Sequence, residues 1–494
     1  MSGLPPTIHF RANAQRVPPG MPAAVQRATA KFLGNRAALV HELGEEAWQA
    51  LRQAGHEIRL HTITHLDHYL EMAERTVVQA GGVVHWARDA AEARAIVLRI
   101  AAERGARRVV KAKSMATEEI GLNHALEAAG LQVLETDLGE YLVQLKGVGP
   151  AHIVVPAFHL STGDIAALFR EKLGVEVAPE AEQLTQVARA KLREEFLAAD
   201  LGITGGNFLV AETGTMVTVT NEGNGRMCST VPPVHVAVLG IDKVVPDWES
   251  LSVLLKLLAR SATGQKLSCY TQFISGPPRA PEETGPQAVH LILLDNGRTR
   301  ILRTPECRET LLCIRCGACL NVCPVYNSVG GYTYGYPISG PTGAIFATQI
   351  LGGQAAGGLP FASTLCGACN DICPVKIPIT QILLYLRHRV VEGDGVEGPA
   401  APAAVRLGAR AGAAALRRPW VYRLCTRMLS WLQAPLVRDG WLAWLPPPAS
   451  RWTMSRPFPA FAADFRRWWA DRRPRRGAGA QGRTGDAAPG RPGE

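Results

Sequence analysis

Two short cysteine runs restrict the fold of this chain more than any other feature of its sequence. The first, CIRCGACLNVCP at 313–324, has the spacing C-x2-C-x2-C-x3-C followed by proline. The second, CGACNDICP at 366–374, repeats the last three cysteines and the proline, and the two runs together hold seven of the eleven cysteines. This spacing is typical of loops that hold cubane iron–sulfur clusters, in which three thiolates separated by two residues surround one cluster. The sequence therefore predicts two 4Fe-4S clusters.

The two runs are expected to exchange ligands. In proteins with two such clusters, the fourth cysteine of a run begins the next helix, faces away from its own loop and binds the other cluster. This crossed pattern assigns four cysteines to the first cluster: Cys313, Cys316, Cys319 and Cys373. It assigns three cysteines to the second cluster: Cys323, Cys366 and Cys369.

The second cluster has only three clear thiolate ligands. When the runs are aligned, Ser363 stands where the second run would have its first cysteine. Four arrangements remain open: Ser363 or another oxygen completes the site, a remote thiol such as Cys307 does so, a small molecule does so, or the second cluster is a 3Fe-4S centre. The sequence does not choose among them.

The cysteine region has two other interpretations. Paired C-x2-C units also bind structural zinc, but zinc sites require neither a proline after both terminal cysteines nor a reciprocal motif beyond a 42-residue insertion. In the other interpretation, the clusters only stabilise the fold. Two clusters held close together naturally form a conducting pair, so electron transfer is the predicted function.

Length and hydropathy indicate a globular protein with several domains. The 494 residues exceed the roughly 250–300 residues that one core accommodates, so two to four domains are expected. The first residues show no signal peptide. The most apolar late segment is interrupted by Arg427, Arg438 and Asp439 and falls short of a membrane span. We therefore expect a cytoplasmic protein without a transmembrane segment.

The net charge of +10 is concentrated in the C-terminal tail, where arginines crowd together. No nucleic-acid-binding motif accompanies this charge, so nucleic acid is not an expected partner. The basic residues instead indicate a solvated face, a contact with an acidic partner or a peripheral contact with a membrane surface.

Composition and periodicity divide the chain into six segments. They are a helical N-terminal arm at 1–85, an α/β domain at 86–303, a small α-helical ferredoxin-like dicluster domain at 304–391, a linker at 392–402, a helical Trp-rich C-terminal region at 403–470 and a disordered basic tail at 471–494. Helix–strand alternation in the second segment predicts a largely parallel sheet. Its expected strands include Arg107–Ala112, Leu131–Thr136, Ile153–Ala157 and His290–Asp295.

Several segments outside the cysteine runs carry a family resemblance. They are KAKSMATEEIGLNHAL at 111–126, ETDLGEY at 135–141, ITGGNFLVAETGTMVTVTNEGNGR at 203–226, YNSVGGYTYGYPISGPTGAI at 326–345 and RWTMSRPFPAFAADFRRWW at 451–469. With these segments and its cysteine runs, most of the chain resembles the iron–sulfur B subunit of the three-protein L-lactate utilisation system.

The resemblance implies a function and partners. The α/β domain is expected to be similar to the sugar-isomerase and CoA-transferase fold. The protein is expected to transfer electrons within a complex that oxidises L-lactate to pyruvate. Its implied partners are the other subunits, among them a cysteine-rich protein similar to heterodisulfide-reductase subunits. The seven cluster cysteines carry over position by position, and the family also lacks a cysteine at the position of Ser363.

The α/β domain is also predicted to contain an anion or substrate pocket. Lys111, Lys113 and Ser114 follow a predicted strand and precede a helix, where ammonium groups and amides can bind a carboxylate or phosphate. If the fold resembles the transferases, a second group reaches the same rim and supplies a glutamate as nucleophile or base: Glu212, Thr213, Asn221, Glu222 and Asn224.

The same residues equally suit tight turns and a solvated surface. The competing function is an enzyme that transforms an acyl or sugar substrate on the α/β domain, with structural clusters. Turnover by the isolated chain is the observation that distinguishes this enzyme from an electron carrier.

Overall fold

The computed structural model describes residues 7–280, 282–394, 398–445, 450–453 and 457–460. The chain divides into two compact units, Met1–Ala400 and Ala401–Glu494. Within the described ranges, no helix combines the length and the apolar character needed to cross a membrane. The predicted disordered tail at 471–494 lies outside the described residues.

From residue 7 onward, four helices precede the first strand: α1 (Phe10–Ala14), α2 (Met21–Leu43), α3 (Glu45–Thr64) and α4 (Leu66–Gln79). Gly44, with φ of +86°, separates α2 from α3. α4 buries Leu66, Leu70, Ala73 and Val77, which recur at helical spacing and form one apolar face. These side chains join the same hydrophobic core as residues of the sheets and of the cysteine region. The predicted arm is therefore an integral part of the first unit.

Ten strands form two sheets in the described part of the first unit. They are β1 (Val83–Ala87), β2 (Arg108–Lys111), β3 (Gln132–Glu135), β4 (Leu201–Thr204), β5 (Phe208–Val210), β6 (Thr215–Thr220), β7 (Val234–Gly240), β8 (Val244–Val245), β9 (Tyr270–Ile274) and β10 (Ala288–Leu294). Six of them form a parallel sheet in the order β1-β10-β7-β4-β2-β3. The other four pair in the order β8-β5-β6-β9.

Helices cover both faces of the parallel sheet, as its continuous apolar strands require. In β7, Val236 and Val238 enter one core while Ala237 and Leu239 enter another. Between β1 and β9 the chain forms the helices α5 (Ala90–Glu103), α6 (Met115–Glu119), α7 (Leu122–Ala128), α8 (Leu138–Lys146), α9 (Thr162–Leu173), α10 (Ala181–Leu197), α11 (Asn224–Thr230) and α12 (Trp248–Ala262).

The strand order reverses beside β2. The chain continues from β2 to β3 on one side, whereas β4 pairs with the opposite side of β2. Ligands of open α/β sheets bind outside the carboxyl ends of the strands at such a reversal. The fold therefore marks the ends of β2 and β4 as a binding position.

One sequence-based expectation for this domain was wrong, and one strand was missed. Residues 153–157 form turns instead of a strand, with Ile153 and Pro156 buried. Their apolar character reflects burial in a loop, and the proline cannot donate a ladder hydrogen bond. The edge strand β1 was not predicted, because its exposed and half-buried residues lack the continuous apolar pattern of the central strands.

The cysteine region is helical, as expected. α13 (Arg298–Arg303) precedes this region, whose helices are α14 (Ala318–Asn321), α15 (Pro324–Val329), α16 (Gly340–Ala356), α17 (Ala368–Ile372) and α18 (Ile379–Glu392). Cys323 caps α15, and Pro324 occupies the first turn, where its missing N–H costs no hydrogen bond.

The described part of the second unit contains two longer helices, α19 (Ala403–Arg417) and α20 (Pro419–Leu432), and the short α21 (Ser450–Thr453). The two-residue strands β11 (Val437–Arg438), β12 (Trp441–Leu442) and β13 (Phe458–Pro459) pair antiparallel in that order. The described part of the Trp-rich region is thus mainly helical.

Candidate metal centre and adjoining cavity

The two cysteine runs fold into loops with the same unusual backbone. Arg315 and Leu365, which precede the second cysteine of the first run and the first cysteine of the second run, have φ of +61° and +56°. The glycines that follow those cysteines, Gly317 and Gly367, have φ of +77° and +85°. Positive φ is uncommon outside glycine, so its occurrence at matching positions shows that the runs are structural repeats.

Backbone amides point at the cysteine sulfurs. The Arg315 N–H donates to Cys313 Sγ at 3.4 Å, the Tyr326 N–H to Cys323 Sγ at 3.5 Å and the Ile377 N–H to Cys373 Sγ at 3.4 Å. Such donors stabilise thiolate charge, and hydrogen bonds to sulfur are among the features that tune iron–sulfur clusters. The loops therefore fit the chemistry of a cluster.

Four buried thiols lie together at the first loop. The pKa of the Cys319 thiol is raised by burial and further by the neighbouring Cys313, Cys316 and Cys373 thiols. Burial and the Cys313 thiol raise the pKa of Cys373 to about 11. Burial opposes ionisation of Cys313 as well, but the charges of Arg315 and Lys243 outweigh it and lower the pKa.

Three thiols lie together at the second loop. Burial raises the pKa of Cys369 to about 12, and the Cys323 and Cys366 thiols contribute to the shift. Cys366 is solvent-exposed, and the pKa of its thiol is lowered by hydrogen bonds from the Ala368 N–H and the Thr364 hydroxyl. The seven thiols thus separate into groups of four and three.

Among the described residues, no three His, Cys, Asp or Glu side chains form a group that could hold a single metal ion.

The two candidate fourth ligands occupy different surroundings. Ser363 is half-buried on the second loop, and its Oγ accepts a hydrogen bond from the Leu365 N–H at 3.1 Å. Cys307 is fully buried in the core, its charged neighbours include Arg389 and Asp394, and burial raises the pKa of its thiol to about 12.

Two arginines of α3 connect the N-terminal helices to the cysteine region. Arg52 donates to the Cys373 carbonyl at 2.7 and 3.0 Å and to the Asp371 carbonyl at 2.7 Å. Arg59 is fully buried, which lowers its pKa to about 10. It donates to the carbonyls of Asp242, Val244 at 2.8 Å and Leu311 at 2.9 Å. One guanidinium thus joins α3, the α/β domain and the segment before Cys313.

A cavity of about 350 Å³ separates the parallel sheet from the first cysteine loop. One wall consists of residues that follow β2 and β4, including Lys113 and Gly205, where the strand order reverses. The lining also includes Ile314, Arg315 and Cys316 of the first run. A molecule in this cavity would therefore contact both the α/β domain and the loop of the first group of thiols.

A buried network of ion pairs adjoins the cavity and contributes Glu119, Lys243 and Arg298 to its lining. Arg298 donates to both Glu119 carboxylate oxygens at 2.9 Å and to Asp242 at 2.6 Å. Lys243 pairs with Asp242 at 3.0 Å and donates to the Cys313 carbonyl at 3.0 Å. Burial lowers the pKa of Lys243 to about 8. The network links the α/β domain to the first cysteine through charge-assisted hydrogen bonds.

Five of the eight predicted pocket residues lie on the cavity wall: Lys113, Ser114, Asn221, Glu222 and Asn224. Burial, followed by the neighbouring Asp137 carboxylate, raises the pKa of Glu222 to about 7. The cavity wall is tight, since a Cβ at Gly205 would lie 2.4 Å from Ser114 Oγ.

The other three predicted pocket residues lie elsewhere. The Lys111 ammonium is buried against Glu118 at 2.9 Å and Glu135 at 2.7 Å, so its charge is already paired. Glu212 and Thr213 are in the turn between β5 and β6, whereas Asn221 follows the far end of β6. A six-residue strand spans about 20 Å, which keeps the two groups apart.

Arg315 and Lys243 were missed as cavity residues. A signal for Arg315 exists in the sequence, because it is the one charged residue between cysteines of the first run, CIRCGACLNVC. Lys243 has no comparable local signal, since its position depends on the turn between β7 and β8.

Comparisons with known proteins agree with this arrangement. Residues 70–294 match the LUD domain family, and residues 309–377 match the 4Fe-4S dicluster domain family. Lactate utilization protein B of Bacillus licheniformis is 41% identical over 92% of this chain and 95% of that protein. The chain belongs to the lactate utilization protein B family. The Macrococcus caseolyticus member is 43% identical over 93% of this chain and 95% of its own length.

A solved structure, that of a DUF162 family protein from Deinococcus radiodurans, matches 46% of this chain and 98% of that chain. Its sequence identity is 16% and its TM-score is 0.27. A likeness this weak carries no argument, so the placement in the lactate utilization protein B family rests on the sequence matches.

Proposed function

We propose that this chain is an iron–sulfur electron-transfer subunit of a complex that oxidises L-lactate to pyruvate. The observation that carries the proposal is the separation of seven cysteine thiols into two neighbouring groups on repeated loops. Membership of a family whose curated members are named lactate utilization protein B supports the role in lactate utilisation.

The proposed ligands follow the two groups. Cys313, Cys316, Cys319 and Cys373 hold the first 4Fe-4S cluster, and Cys323, Cys366 and Cys369 hold the second. Ser363 completes the second site in this proposal, because it lies on the same loop as Cys366. When bound, such clusters accept and donate single electrons at potentials that sulfur hydrogen bonds and burial adjust.

The chain's own residues orient and protect the sites. The amide groups of Arg315, Tyr326 and Ile377 donate to sulfur, and Arg52 fixes the carbonyl of Cys373. Burial of the first group excludes water, whereas the exposed Cys366 provides the point nearest solvent. We propose that the partners, including a cysteine-rich protein similar to heterodisulfide-reductase subunits, exchange electrons at this exposed side in the cytoplasm.

The proposal extends to domain organisation. We propose that the α/β domain is similar to the sugar-isomerase and CoA-transferase fold, with the predicted segments at 1–85, 86–303, 304–391, 392–402 and 403–470. The first boundary is moved to precede β1 (Val83–Ala87), because this strand pairs with β10 in the parallel sheet. The parallel sheet and the LUD match at 70–294 support an α/β domain.

The deciding experiment is iron and sulfide analysis with electron paramagnetic resonance of the anaerobically purified full chain. About eight irons per chain are expected for two cubanes, and about seven for one three-iron centre. A colourless preparation that contains zinc would overturn the proposal. L-lactate should reduce the clusters quickly only when partner subunits are present.

The cavity favours a second candidate, an enzyme acting on a small acyl or sugar substrate with clusters that only stabilise the fold. Its supporting observation is the position of the cavity at the reversal of strand order. Turnover of such a substrate by the isolated chain, without cluster reduction, would support this candidate over the relay.

A further inference from the structure

The cavity beside the first cysteine loop contains an arginine with spare hydrogen-bonding capacity. Within the described residues, Arg315 Nη1 is buried and has no hydrogen-bond partner. The guanidinium lies over the Phe346 ring, 4.1 Å from its centroid, which fixes its plane. An arginine held in this way presents a forked donor suited to a carboxylate.

The other cations of the cavity differ from Arg315 in their pairing. Arg298 is occupied by Glu119 and Asp242, and Lys243 shares Asp242. Lys113 also lines the cavity and donates to the Val154 carbonyl at 2.5 Å. Among the described lining residues, Arg315 and Lys113 are thus cations without an ion pair, and their charges act at longer range on Asp242 and Glu222.

The anionic residues on the wall restrict the ligand's charge. Glu119, Asp137 and Glu222 line the same cavity, but Glu119 is paired with Arg298 and burial raises the pKa of Glu222 to about 7. The remaining negative charge of Asp137 and of ionised Glu222 would repel a phosphate ester or other polyanion more strongly than a monoanion. A monoanion needs one guanidinium, and a hydroxyl or oxo oxygen beside its carboxylate can bond Ser114 or Asn224. The volume of about 350 Å³ holds such an acid together with water.

We propose that this cavity binds a small 2-hydroxy or 2-oxo carboxylate, with its carboxylate on Arg315 and against the loop of the first cluster. The proposal rests on the proposed function for the identity of the cluster and adds a ligand class to it. The bound negative charge disfavours adding an electron nearby, so occupancy lowers the reduction potential of the first cluster. By linkage, reduction weakens ligand binding by the same factor.

The test uses the anaerobically prepared full-length protein with both clusters. Redox titrations followed by electron paramagnetic resonance compare the protein alone with the protein in saturating L-lactate or pyruvate. The first cluster's potential should fall and the second should stay constant. A tenfold difference in affinity between the two redox states corresponds to about 59 mV for one electron.

Arg315→Gln should abolish the shift while iron content stays unchanged, and Arg315→Lys should restore part of it. Arg308→Gln is the matched control, because Arg308 is exposed and lies outside the cavity lining. If Arg315→Gln loses iron, Lys113→Gln, at the other unpaired cation of the cavity lining, decides the question through weaker ligand binding with both clusters intact.

The outcomes separate this inference from the relay itself. Two reducible clusters with no shift on adding either acid would overturn the ligand site and leave the relay standing. A protein without clusters would instead contradict the proposed function. Equal shifts in wild type and in Arg315→Gln would overturn the assignment of the carboxylate to Arg315.

A second inference rests on the helices of the other unit. α19 and α20 expose large apolar side chains: Leu407 is 71% exposed, Leu416 70%, Trp420 66% and Trp431 78%. Trp420, Leu424, Met428 and Trp431 recur every three or four residues and form one apolar face of α20.

All the charges of this segment are positive. Residues 403–438 contain seven arginines and no lysine, aspartate or glutamate. Arg423 and Arg427 lie one turn apart in α20, beside its apolar face. Helices with an arginine-rich side and a tryptophan-containing apolar side lie in the plane of membrane interfaces and are attracted to anionic lipid.

We infer that α19 and α20 bind the surface of an anionic membrane. Full-length protein with its clusters is sedimented with vesicles of neutral phosphatidylcholine, with or without about one-third phosphatidylglycerol. Binding should require the anionic lipid and should weaken at high salt, because exposed charges are screened.

The double variant Trp420→Ser, Trp431→Ser should lose vesicle binding at least tenfold, whereas Trp248→Ser, an exposed tryptophan of the first unit, should not. Arg423→Gln with Arg427→Gln should weaken binding if the tryptophan variant is unstable. Equal binding to neutral and anionic vesicles, or none to either, would overturn the inference. Loss of a stoichiometric protein complex in these variants, without any vesicle binding, would assign the surface to a protein partner instead.

Discussion

The two groups of cysteines differ in their access to solvent although their loops share one backbone conformation. The four thiols of the first group are all buried, between α3, the ionic network of the α/β domain and the cavity. In the second group Cys366 is exposed. The comparison shows that a repeated motif has acquired an inner and an outer position, which gives the proposed relay a direction between the cavity and the surface.

The surroundings of the two groups also differ in charge. The first group has arginine and lysine side chains close to its sulfurs: Arg36 near Cys316, Arg52 near Cys373, and Arg315 and Lys243 near Cys313. These cations offset the cost of burying thiolates. The exposed Cys366 obtains its stabilisation chiefly from amide and hydroxyl donors.

The inner and outer positions should respond differently to loss of one ligand. Cys316→Ser and Cys366→Ser should each lower iron from about eight to about four per chain. Only Cys316→Ser should also lower the free energy of unfolding, by roughly 5 kcal/mol or more, because binding free energy at a buried site is folding free energy. Iron analysis and denaturant unfolding under anaerobic conditions measure both effects.

Cys269→Ser is the control for these variants, because Cys269 is exposed and outside both runs. It should leave iron and stability unchanged. Equal destabilisation by Cys316→Ser and Cys366→Ser would show that the inner and outer positions are energetically equivalent.

The stability of the structure around the first group of thiols, the inner position, should also depend on Arg59. Arg59→Met keeps the side-chain length but leaves the carbonyls of Asp242, Val244 and Leu311 without their donor. The free energy of unfolding should fall by about 3 kcal/mol, since unsatisfied buried polar groups are costly. Urea unfolding measures the loss. Arg75→Met, at an exposed position of α4, should change stability little, and a similar loss there would contradict this role of Arg59.

The pH dependence of stability should reveal the surroundings of Glu222 on the cavity wall. Its pKa is about 7 in the folded chain and ordinarily 4.5, so folding favours the protonated form. Stability is therefore lost as pH rises from about 4.5 to 7, and the full penalty applies above 7. Glu222→Gln should raise stability on the order of 1 kcal/mol at pH 8 and less at pH 5.

Thermal unfolding at the two pH values compares Glu222→Gln with Glu127→Gln, a control at an exposed position of α7. The stabilisation should be specific to Glu222 and should grow with pH. A pH-independent effect would mean that the carboxyl is not held protonated by its surroundings.

The variant Ser363→Cys tests whether the second cluster, at the outer position, lacks a fourth thiolate ligand. It should change the free energy of unfolding little. If the second cluster has a three-iron core or an oxygen ligand, the new thiol should supply the missing ligand and change the paramagnetic resonance spectrum of that cluster alone. Iron should rise from about seven to about eight in the three-iron case. An unchanged spectrum would mean that another group already completes the site.

Prediction from the sequence was most accurate for features whose residues lie close together along the chain. The cysteine runs, the parallel-sheet domain and the helical cysteine region follow from short patterns. Strands β2 and β3 lie within the predicted ranges, and β10 (Ala288–Leu294) overlaps the predicted His290–Asp295 but begins two residues earlier. The loop at 153–157 could not be distinguished from a strand, because burial of an apolar run against another segment looks the same in sequence.

The cavity was harder to predict, because its walls come from distant parts of the chain. Lys113 and Ser114 were found from their place after a strand. Lys111 was misassigned, because Glu135, which neutralises it, comes from the adjacent strand β3. Arg315 reaches the cavity only because the first cysteine loop packs against the ends of β2 and β4, a contact that no local pattern encodes.

The position of Arg59 also has a consequence for synthesis on the ribosome. Its acceptors Leu311 and Leu312 follow it by 252 and 253 residues. At roughly 5–20 residues per second, translation delivers them on the order of 10–50 s after α3 has emerged. During that interval the nascent helix carries a desolvation-sensitive cation without its full set of carbonyl acceptors, because Asp242 and Val244 emerge before Leu311 and Leu312. Stable docking of α3 is thus expected to follow, and not to precede, emergence of the metal-binding segment.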